Sequence, residues 1–328
     1  MAEPINIAIV GAGIAARELH LPVYRKLTKQ FRVKLVCGRT LDKAQTLAAE
    51  FGCDATTDYD EVLGIPEIEA VDLCLPIELN HDYALGAAEA GKNILCEKPI
   101  GAGIDEAAAM VSIPARFGIR MMVAENYRYR PTFIRAKKLI DDGVIGRPHL
   151  LIHNHLSGRV DSPTAWRRTH KYPGGFLLDG GVHYVNALRL MGGEIRSVKA
   201  NVNSANPILG RVDTAVVALE FASGALGSLV MGYAAHPISG PTYLACGFLG
   251  TLAISDGKIE LFAGRERKKI WRFKDDYGFT AQFRDFYRLV RHGKATKLTL
   301  EDTRRDALTI LAALESGEKG GEIKLDFG

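Results

Sequence analysis

Residues 5–16 read INIAIVGAGIAA, an apolar run that leads into a glycine turn and then into a stretch compatible with a helix to about Leu27. Strand, glycine turn and helix in this order are the context that a dinucleotide-binding fingerprint requires. Gly11 permits the tight turn, Gly13 lets the backbone approach a pyrophosphate, and Ala16 lets the helix pack closely on the strand. The predicted phosphate-binding residues are Gly11, Ala12, Gly13, Ile14 and Ala15, against the alternative of a purely structural turn.

The end of the second predicted strand, Val33–Cys37, bears on the choice of nucleotide. An NAD site commonly places an acid there to accept from the ribose hydroxyls. This chain has Arg39 and Thr40 instead, a guanidinium and a hydroxyl that suit a 2′-phosphate. We therefore expect NADP, with NAD still possible; the alternative is a solvated arginine in a loop.

Strands and helices then alternate up to Ala124, as expected for a parallel sheet with right-handed crossovers. This pattern predicts a first domain over residues 1–124 and a second over 125–328. Predicted helices lie at Asp42–Phe51, Tyr59–Leu63, His81–Ala90 and Asp105–Phe117, the last shortened or kinked at Pro114, and predicted strands at Ala70–Leu75 and Arg120–Ala124.

Residues 93–100 read NILCEKPI and form a further predicted strand that ends at Pro99. Glu97 and Lys98 place two opposite charges at the end of a buried strand, where desolvation is costly. Ligands bind at the carboxyl ends of strands in open α/β sheets. Lys98 is therefore a candidate for chemistry.

The second half reads as an α+β domain. Arg130–Ile140 is a predicted amphipathic helix and His149–Ser157 a predicted strand. Further strands are predicted at Val198–Val202, Thr214–Phe221, Ala225–Tyr233, Tyr243–Phe248, Thr251–Ser255, Lys258–Phe262 and Lys269–Phe273, and helices at Thr280–Arg291 and Thr303–Ser316.

Two pairs of polar residues stand out in this half. His153 and His155 face the same side of their strand, but no third ligand with recognisable spacing follows. We expect no metal there and polar contacts to a substrate instead. Asp179 and His183 lie four apart on a predicted helix to about Met191, so a carboxylate can orient an imidazole. The alternative is a structural hydrogen bond at the start of the helix.

Gly180 and Gly181 interrupt that predicted helix. Glycine is a poor helix former, costing about 1 kcal/mol relative to alanine. The pair therefore predicts that another group approaches the helix closely at this point.

Composition narrows the possible partners and compartment. A net charge of +4 without a basic tail gives no reason to expect nucleic-acid binding. Five widely spaced cysteines without a C-x-x-C pair favour a reducing environment. Neither a signal pattern nor an apolar stretch long enough for a membrane is present, so we expect a cytoplasmic protein.

The glycine turn, the segment Cys96–Pro99 and the later segment Asp179–Tyr184 occur in an order and spacing that resemble the glucose–fructose oxidoreductase/inositol dehydrogenase/MocA family of NAD(P)-dependent oxidoreductases. Lesser matches lie at His20-Leu21-Pro22 and Asn126-Tyr127-Arg128. The resemblance implies a Rossmann domain, then a domain with a large open, mainly antiparallel sheet whose outer face forms a homodimer or homotetramer.

The resemblance also implies roles for individual residues. Glu97 would lie near the nicotinamide ribose and Lys98 beside the reacting carbon, with a cis Lys98–Pro99 peptide. Pro76 and Asn80 would lie at the cofactor, although many members carry histidine in place of Asn80. Relatives often have Trp-Arg where this chain has Trp166-Arg167-Arg168. Arg167 would then reach cofactor or substrate; a surface arginine is the alternative. Candidate substrate contacts are Tyr127, His155, Arg167 and Tyr184.

The predicted reaction is hydride transfer between nicotinamide C4 and a carbinol or carbonyl carbon of a sugar, polyol or related cyclic diol. His183, oriented by Asp179, would move the proton, and Lys98 would polarise the oxygen; the two roles can be exchanged. One alternative is a cofactor-binding regulator of the same fold without turnover. Another is a metal-dependent enzyme that uses His153 and His155.

Overall fold

The computed structural model describes residues 3–161, 164, 167, 174–237, 239–274 and 276–326. The chain divides into two compact units. The first comprises Met1–Asn126 and Gly278–Arg304, and the second comprises Tyr127–Tyr277 and Arg305–Gly328. The sequence-based domain boundary at residue 124 assigns all later residues to the second domain. In the structure, Gly278–Arg304 return to the first unit.

The first unit is built on a parallel sheet. Its strands are β1 (Ile5–Val10), β2 (Phe31–Cys37), β3 (Asp54–Thr56), β4 (Ala70–Leu73), β5 (Asn93–Glu97) and β6 (Met121–Ala124). Among the described residues they form a six-stranded sheet in the order β3-β2-β1-β4-β5-β6, with every neighbouring pair parallel. This is the doubly wound order of dinucleotide-binding folds, in which ligands bind where the order reverses, here between β1 and β4. The predicted fold class is confirmed.

Helices connect these strands. They are α1 (Leu21–Lys26), α2 (Leu41–Ala49), α3 (Tyr59–Gly64), α4 (Ile77–Glu89) and α5 (Ile104–Phe117). The stretch between the glycine turn and α1, Ala15–His20, is π-helical, so the predicted helix begins with wider turns than an α-helix. The expected shortening of α5 at Pro114 is wrong, because the helix continues to Phe117.

The second unit is built on a large mixed sheet. Its strands are β7 (Pro148–Leu156), β8 (Ile195–Asn203), β9 (Thr214–Phe221), β10 (Leu226–Gly232), β11 (Tyr243–Gly247), β12 (Gly250–Ser255), β13 (Lys258–Ala263), β14 (Glu266–Arg272) and β15 (Glu322–Lys324). In the described part of the chain they form a nine-stranded sheet in the order β14-β13-β12-β11-β7-β10-β9-β8-β15. β7 and β10 pair in parallel, and the other neighbours are antiparallel. The expected mainly antiparallel sheet is confirmed.

The helices α6 (Pro131–Asp141) and α7 (Gly175–Gly192) belong to the second unit, as do residues 305–319 of the last helix. α7 packs on β7, β9 and β10. A Cβ atom on Gly180 would lie 1.8 Å from the Tyr233 hydroxyl, and one on Gly181 would lie 2.6 Å from Cδ1 of Ile310. The predicted close approach at the two glycines is therefore confirmed.

The last helices are α8 (Phe279–His292) and α9 (Leu300–Lys319). α8 packs on α1, and its fully buried Phe283 makes edge-to-face contacts with Tyr24 and Phe31. This apolar contact explains why residues 278–304 belong to the first unit. Among the helices of the described residues, none combines the length and the apolar character needed to cross a membrane.

Candidate functional site

The glycine turn after β1 borders a cleft in the first unit. Gly11 has a φ of +104°, and a Cβ atom there would lie 2.3 Å from the carbonyl oxygen of Cys74, so the turn requires glycine. A Cβ atom on Gly13 would meet nothing within 4 Å, which leaves the backbone open to an approaching phosphate. The cleft has a volume of about 410 Å³ and is lined by Val10, Gly11, Ala12, Gly13, Cys37, Gly38, Arg39, Thr40, Lys43, Thr57, Cys74, Leu75, Pro76, Leu79 and Tyr83. These features fit a dinucleotide.

One end of the cleft carries positive charge. Arg39, Thr40 and Lys43 are exposed residues that line the cleft where β2 leads into α2. Among the described residues that line the cleft, none is a carboxylate. Sequence reasoning found Arg39 and Thr40 but missed Lys43, which lies one helical turn further on. Its position three residues after Thr40, in the first turn of the predicted helix, was the signal in the sequence that could have identified Lys43 as a cofactor contact.

The turn that carries Lys98 lies at the carboxyl end of β5. The Lys98–Pro99 peptide is cis, as predicted. Asn80, on α4, is 1% exposed, and its Nδ2 donates to the carbonyl oxygens of Glu97 and Pro99, each at 3.2 Å. Asn80 therefore holds the backbone on both sides of the half-buried Lys98.

A buried polar cluster around His20 was missed as a functional feature. His20 is fully buried, with Nδ1 2.7 Å from Oδ2 of Asp72 and Nε2 2.9 Å from Oε1 of Glu97. Tyr24 donates to the same Asp72 oxygen at 2.8 Å, and Sγ of Cys74 lies 3.3 Å from Nδ1. Ligand atoms of His20, Asp72 and Cys74 lie within 4.8 Å of one another, and these hydrogen bonds account for that spacing.

Electrostatics favours a charged imidazole in this cluster. Burial alone lowers the pKa of His20, but the charge and hydrogen bond of Asp72 outweigh it and raise that pKa well above its usual value. Burial raises the pKa of the Cys74 thiol to about 12, so this cysteine is a neutral neighbour. The edge of the His20 ring also meets Phe283, with centroids 4.9 Å apart.

In the second unit, α7 carries Asp179 and His183 four residues apart, as predicted. Arg167 donates from Nε to Oδ2 of Asp179 at 2.9 Å, so the guanidinium faces this carboxylate. The His183 ring stacks on Tyr127, with centroids 4.7 Å apart and an interplanar angle of 16°. Trp166 and Arg168, the other residues of the predicted motif, lie outside the described residues.

An aromatic cluster on the sheet contains both histidines of β7. His153 and His155 each contact the Tyr184 ring, at 4.3 and 4.9 Å between centroids, which confirms that they share a face. The pKa of His153 is lowered to about 3 and that of His155 to about 4, mainly because both imidazoles are buried. Both are neutral, and Nδ1 of His153 donates to the Thr242 carbonyl at 3.0 Å, which leaves Nε2 as an acceptor.

The comparisons with known proteins agree on one family. Residues 5–125 match an oxidoreductase family with an NAD-binding Rossmann fold, and residues 133–253 match the GFO/IDH/MocA C-terminal domain. A levoglucosan dehydrogenase from Pseudarthrobacter phenanthrenivorans is 30% identical over 71% of this chain and 69% of its own. A scyllo-inositol 2-dehydrogenase (NAD+) from Bacillus subtilis is 29% identical over 99% of this chain and 98% of its own. The crystal structure of an oxidoreductase from Thermotoga maritima is 32% identical, with a TM-score of 0.92 over 98% of each chain.

Proposed function

The chain belongs to the GFO/IDH/MocA family of oxidoreductases. We propose that it transfers a hydride between NADP and a carbinol or carbonyl carbon of a sugar, polyol or related cyclic diol. The observation that carries the proposal is the turn at the carboxyl end of β5. This turn places Glu97 and Lys98 at the carboxyl end of β5, and the cleft beside the glycine turn lies at the carboxyl ends of β1, β2 and β4. Ligands of doubly wound sheets bind at the carboxyl ends of the strands.

Lys98 has the electrostatic role in the proposal. When bound, the nicotinamide accepts or supplies the hydride. Negative charge then develops on the substrate oxygen as a carbonyl is reduced, and an ammonium group stabilises it. Glu97 would hold the nicotinamide ribose and balance the positive charge of the lysine.

His183 has the proton-transfer role. Oxidation removes the hydroxyl proton and reduction supplies one, and an imidazole nitrogen can both accept and donate a proton. The stacking of His183 on Tyr127 supports this role, because it fixes the plane of the ring. Asp179 lies one turn before His183 on α7 and orients its imidazole, and Arg167 donates to the Asp179 carboxylate.

Substrate contacts are assigned to Tyr127, His155, Arg167 and Tyr184. Buried polar atoms in the aromatic cluster around Tyr184 support a polyhydroxylated ligand. Within the described residues, Nε2 of His153 and Nε2 of His155 have no hydrogen-bond partner. Buried polar groups of this kind are normally satisfied, and the hydroxyls of a sugar or inositol can both donate and accept.

NADP is preferred over NAD in the proposal. Arg39, Thr40 and Lys43 supply two cations and a hydroxyl at the end of β2, with no carboxylate among the cleft-lining residues described. A 2′-phosphate adds negative charge that this end of the cleft accommodates. The remaining cofactor contacts are assigned to residues 11–15, Pro76, Asn80 and Glu97.

The protein is proposed to act in the cytoplasm as a homodimer or homotetramer. Its five cysteines are free, as a reducing compartment requires. Two apolar side chains on neighbouring strands of the second sheet, Val216 and Leu226, are 50% and 59% exposed. Burying them against a second copy of the chain would be favourable.

Single substitutions test the catalytic assignment. Lys98→Ala and His183→Ala should each lower kcat by roughly 10²- to 10⁴-fold, the usual contribution of electrostatic or acid–base groups. The Kd of NADP should change little, since neither side chain lines the cleft. Turnover is followed by NADPH absorbance on a panel of inositols, sugars and anhydrosugars that includes scyllo-inositol and levoglucosan.

Matched controls are available on exposed positions. Lys34→Ala removes an exposed lysine from β2, and His149→Ala removes an exposed histidine from β7. Both should retain the kcat of the unmodified protein. Near-normal kcat in the Lys98 and His183 variants would refute the assignment.

A further inference from the structure

A linear chain of hydrogen bonds ends at Glu97, the residue before Lys98. It runs from Tyr24 to Asp72, from Asp72 to His20, and from His20 to the carboxylate of Glu97. Asp72 and His20 are fully buried and Glu97 is 7% exposed, so this chain is shielded from water. Neither Asp72 nor His20 lines the cofactor cleft.

The two contacts of His20 define its charge. Ionised carboxylates only accept hydrogen bonds, and His20 has one at each ring nitrogen. Both nitrogens therefore carry hydrogen, and the ring is an imidazolium between two anions. Burying these three charges is costly unless each is paired, and removing one partner leaves a buried charge uncompensated.

Contacts on both sides of Lys98 link this cluster to the candidate lysine. His20 holds the side chain of Glu97, the residue before Lys98, and Asn80 holds the carbonyl oxygens of Glu97 and of Pro99, the residue after it. The backbone is therefore held on both sides of Lys98, whose side chain is half-buried.

We propose that His20 is a positioning residue, an imidazolium anchored by Asp72 that fixes the Glu97 carboxylate and thereby sets the position of Lys98. The wide turns of the π-helical segment Ala15–His20 bring His20 from the glycine turn to the ends of β4 and β5. π-Helical turns are frequent at functional sites. This inference rests on the proposed function, in which Lys98 stabilises the negative charge on the substrate oxygen.

The first test substitutes His20. A glutamine can donate from only one end, so His20→Gln cannot hold Asp72 and Glu97 together. We expect kcat to fall by roughly 10- to 100-fold, as for a displaced catalytic group. The KM of the polyol and the Kd of NADP should change less than kcat. A purely structural role would instead lower the fraction of folded protein and leave kcat per NADP-binding site unchanged.

Tyr24→Phe is the matched control. It removes a hydroxyl that donates to Asp72 at 2.8 Å but leaves both contacts of His20 in place. Its kcat should stay near that of the unmodified protein. A folded His20→Gln variant with normal kcat per NADP-binding site overturns the inference.

A second measurement needs no variant. In the unmodified protein labelled with nitrogen isotope at its nine histidines, ring signals are recorded about two pH units above the ordinary histidine pKa of roughly 6.5. One imidazole should retain both ring protons there. Spectra in which every imidazole is neutral overturn the inference.

The two proposals fail in different ways. Unmodified protein that binds NADP but turns over no polyol on the panel refutes the proposed function. Normal turnover in a folded His20→Gln variant, or a neutral His20, refutes only the positioning role.

Discussion

The positive end of the cleft provides the sharpest test of nucleotide preference. Replacing Arg39 and Lys43 by alanine removes two cations that line the cleft between β2 and α2. A hydrogen bond to a charged group contributes about 1.5–3 kcal/mol, and both side chains are exposed, so the lower value applies. Each cation then accounts for about tenfold in affinity. The double variant should bind NADPH roughly 50- to 100-fold more weakly.

The assay is a fluorescence titration with NADPH and with NADH on the same protein preparations. Affinity for NADH should stay within about twofold, because a nucleotide without a 2′-phosphate gains little from the two cations. Added salt should weaken NADPH binding to the unmodified protein more than binding to the variant, since exposed charges are screened. Lys34→Ala, at an exposed position on β2, is the control.

Equal losses of affinity for NADPH and NADH would contradict a contact to the 2′-phosphate, because they would place the cations at the shared part of the two nucleotides. Unchanged NADPH affinity would also refute it. In that case Arg39 is the solvated arginine of the alternative interpretation.

Two further predictions concern stability and assembly. The pKa of His153 is lowered to about 3, chiefly by burial, so the unfolded chain takes up a proton below about pH 6.5 that the folded chain does not. The unfolding free energy should therefore fall with decreasing pH, and His153→Gln should remove up to about 1.4 kcal/mol per pH unit of that dependence between about pH 6.5 and 4 in urea titrations. Val216→Glu places a charge on the apolar outer face of the second sheet and should shift the protein toward monomer in sedimentation experiments.

Each of these has a control and a contradicting result. His149→Gln changes an exposed histidine on the same strand and should leave the pH dependence intact; equal slopes for His153→Gln and the unmodified protein would contradict the first prediction. Ile134→Glu alters a 40% exposed residue of α6 and should leave assembly unchanged. An unaltered oligomer in Val216→Glu would contradict the second.

Local patterns were sufficient for most of the fold. Period-two alternation predicted strands such as Thr214–Phe221, which has the same bounds in the structure. The strand, glycine turn and helix pattern predicted the cleft, because these elements follow one another in the chain. Gly180 and Gly181 predicted a close approach, because glycine is a poor helix former. The groups that approach these glycines, such as Cys74 at Gly11 and Tyr233 at Gly180, are distant in sequence and are shown only by the structure.

Features that depend on distant residues were missed. His20 is separated from Asp72 by 52 residues and from Glu97 by 77, so no local pattern joins them. The return of residues 278–304 to the first unit depends on Phe283 meeting aromatic rings near the N-terminus. Tertiary packing selects such contacts, and a single sequence does not specify them.

Transfer of deuterium shows whether the protein moves a hydride from a carbinol carbon to the nicotinamide. Inositols and sugars deuterated at carbon are incubated with the protein and NADP+, and the reduced nucleotide is analysed by NMR. Hydride transfer predicts deuterium at C4 of the nicotinamide, with one substrate class from the panel preferred. NADP binding without labelled nucleotide from any member of the panel would contradict the proposed reaction.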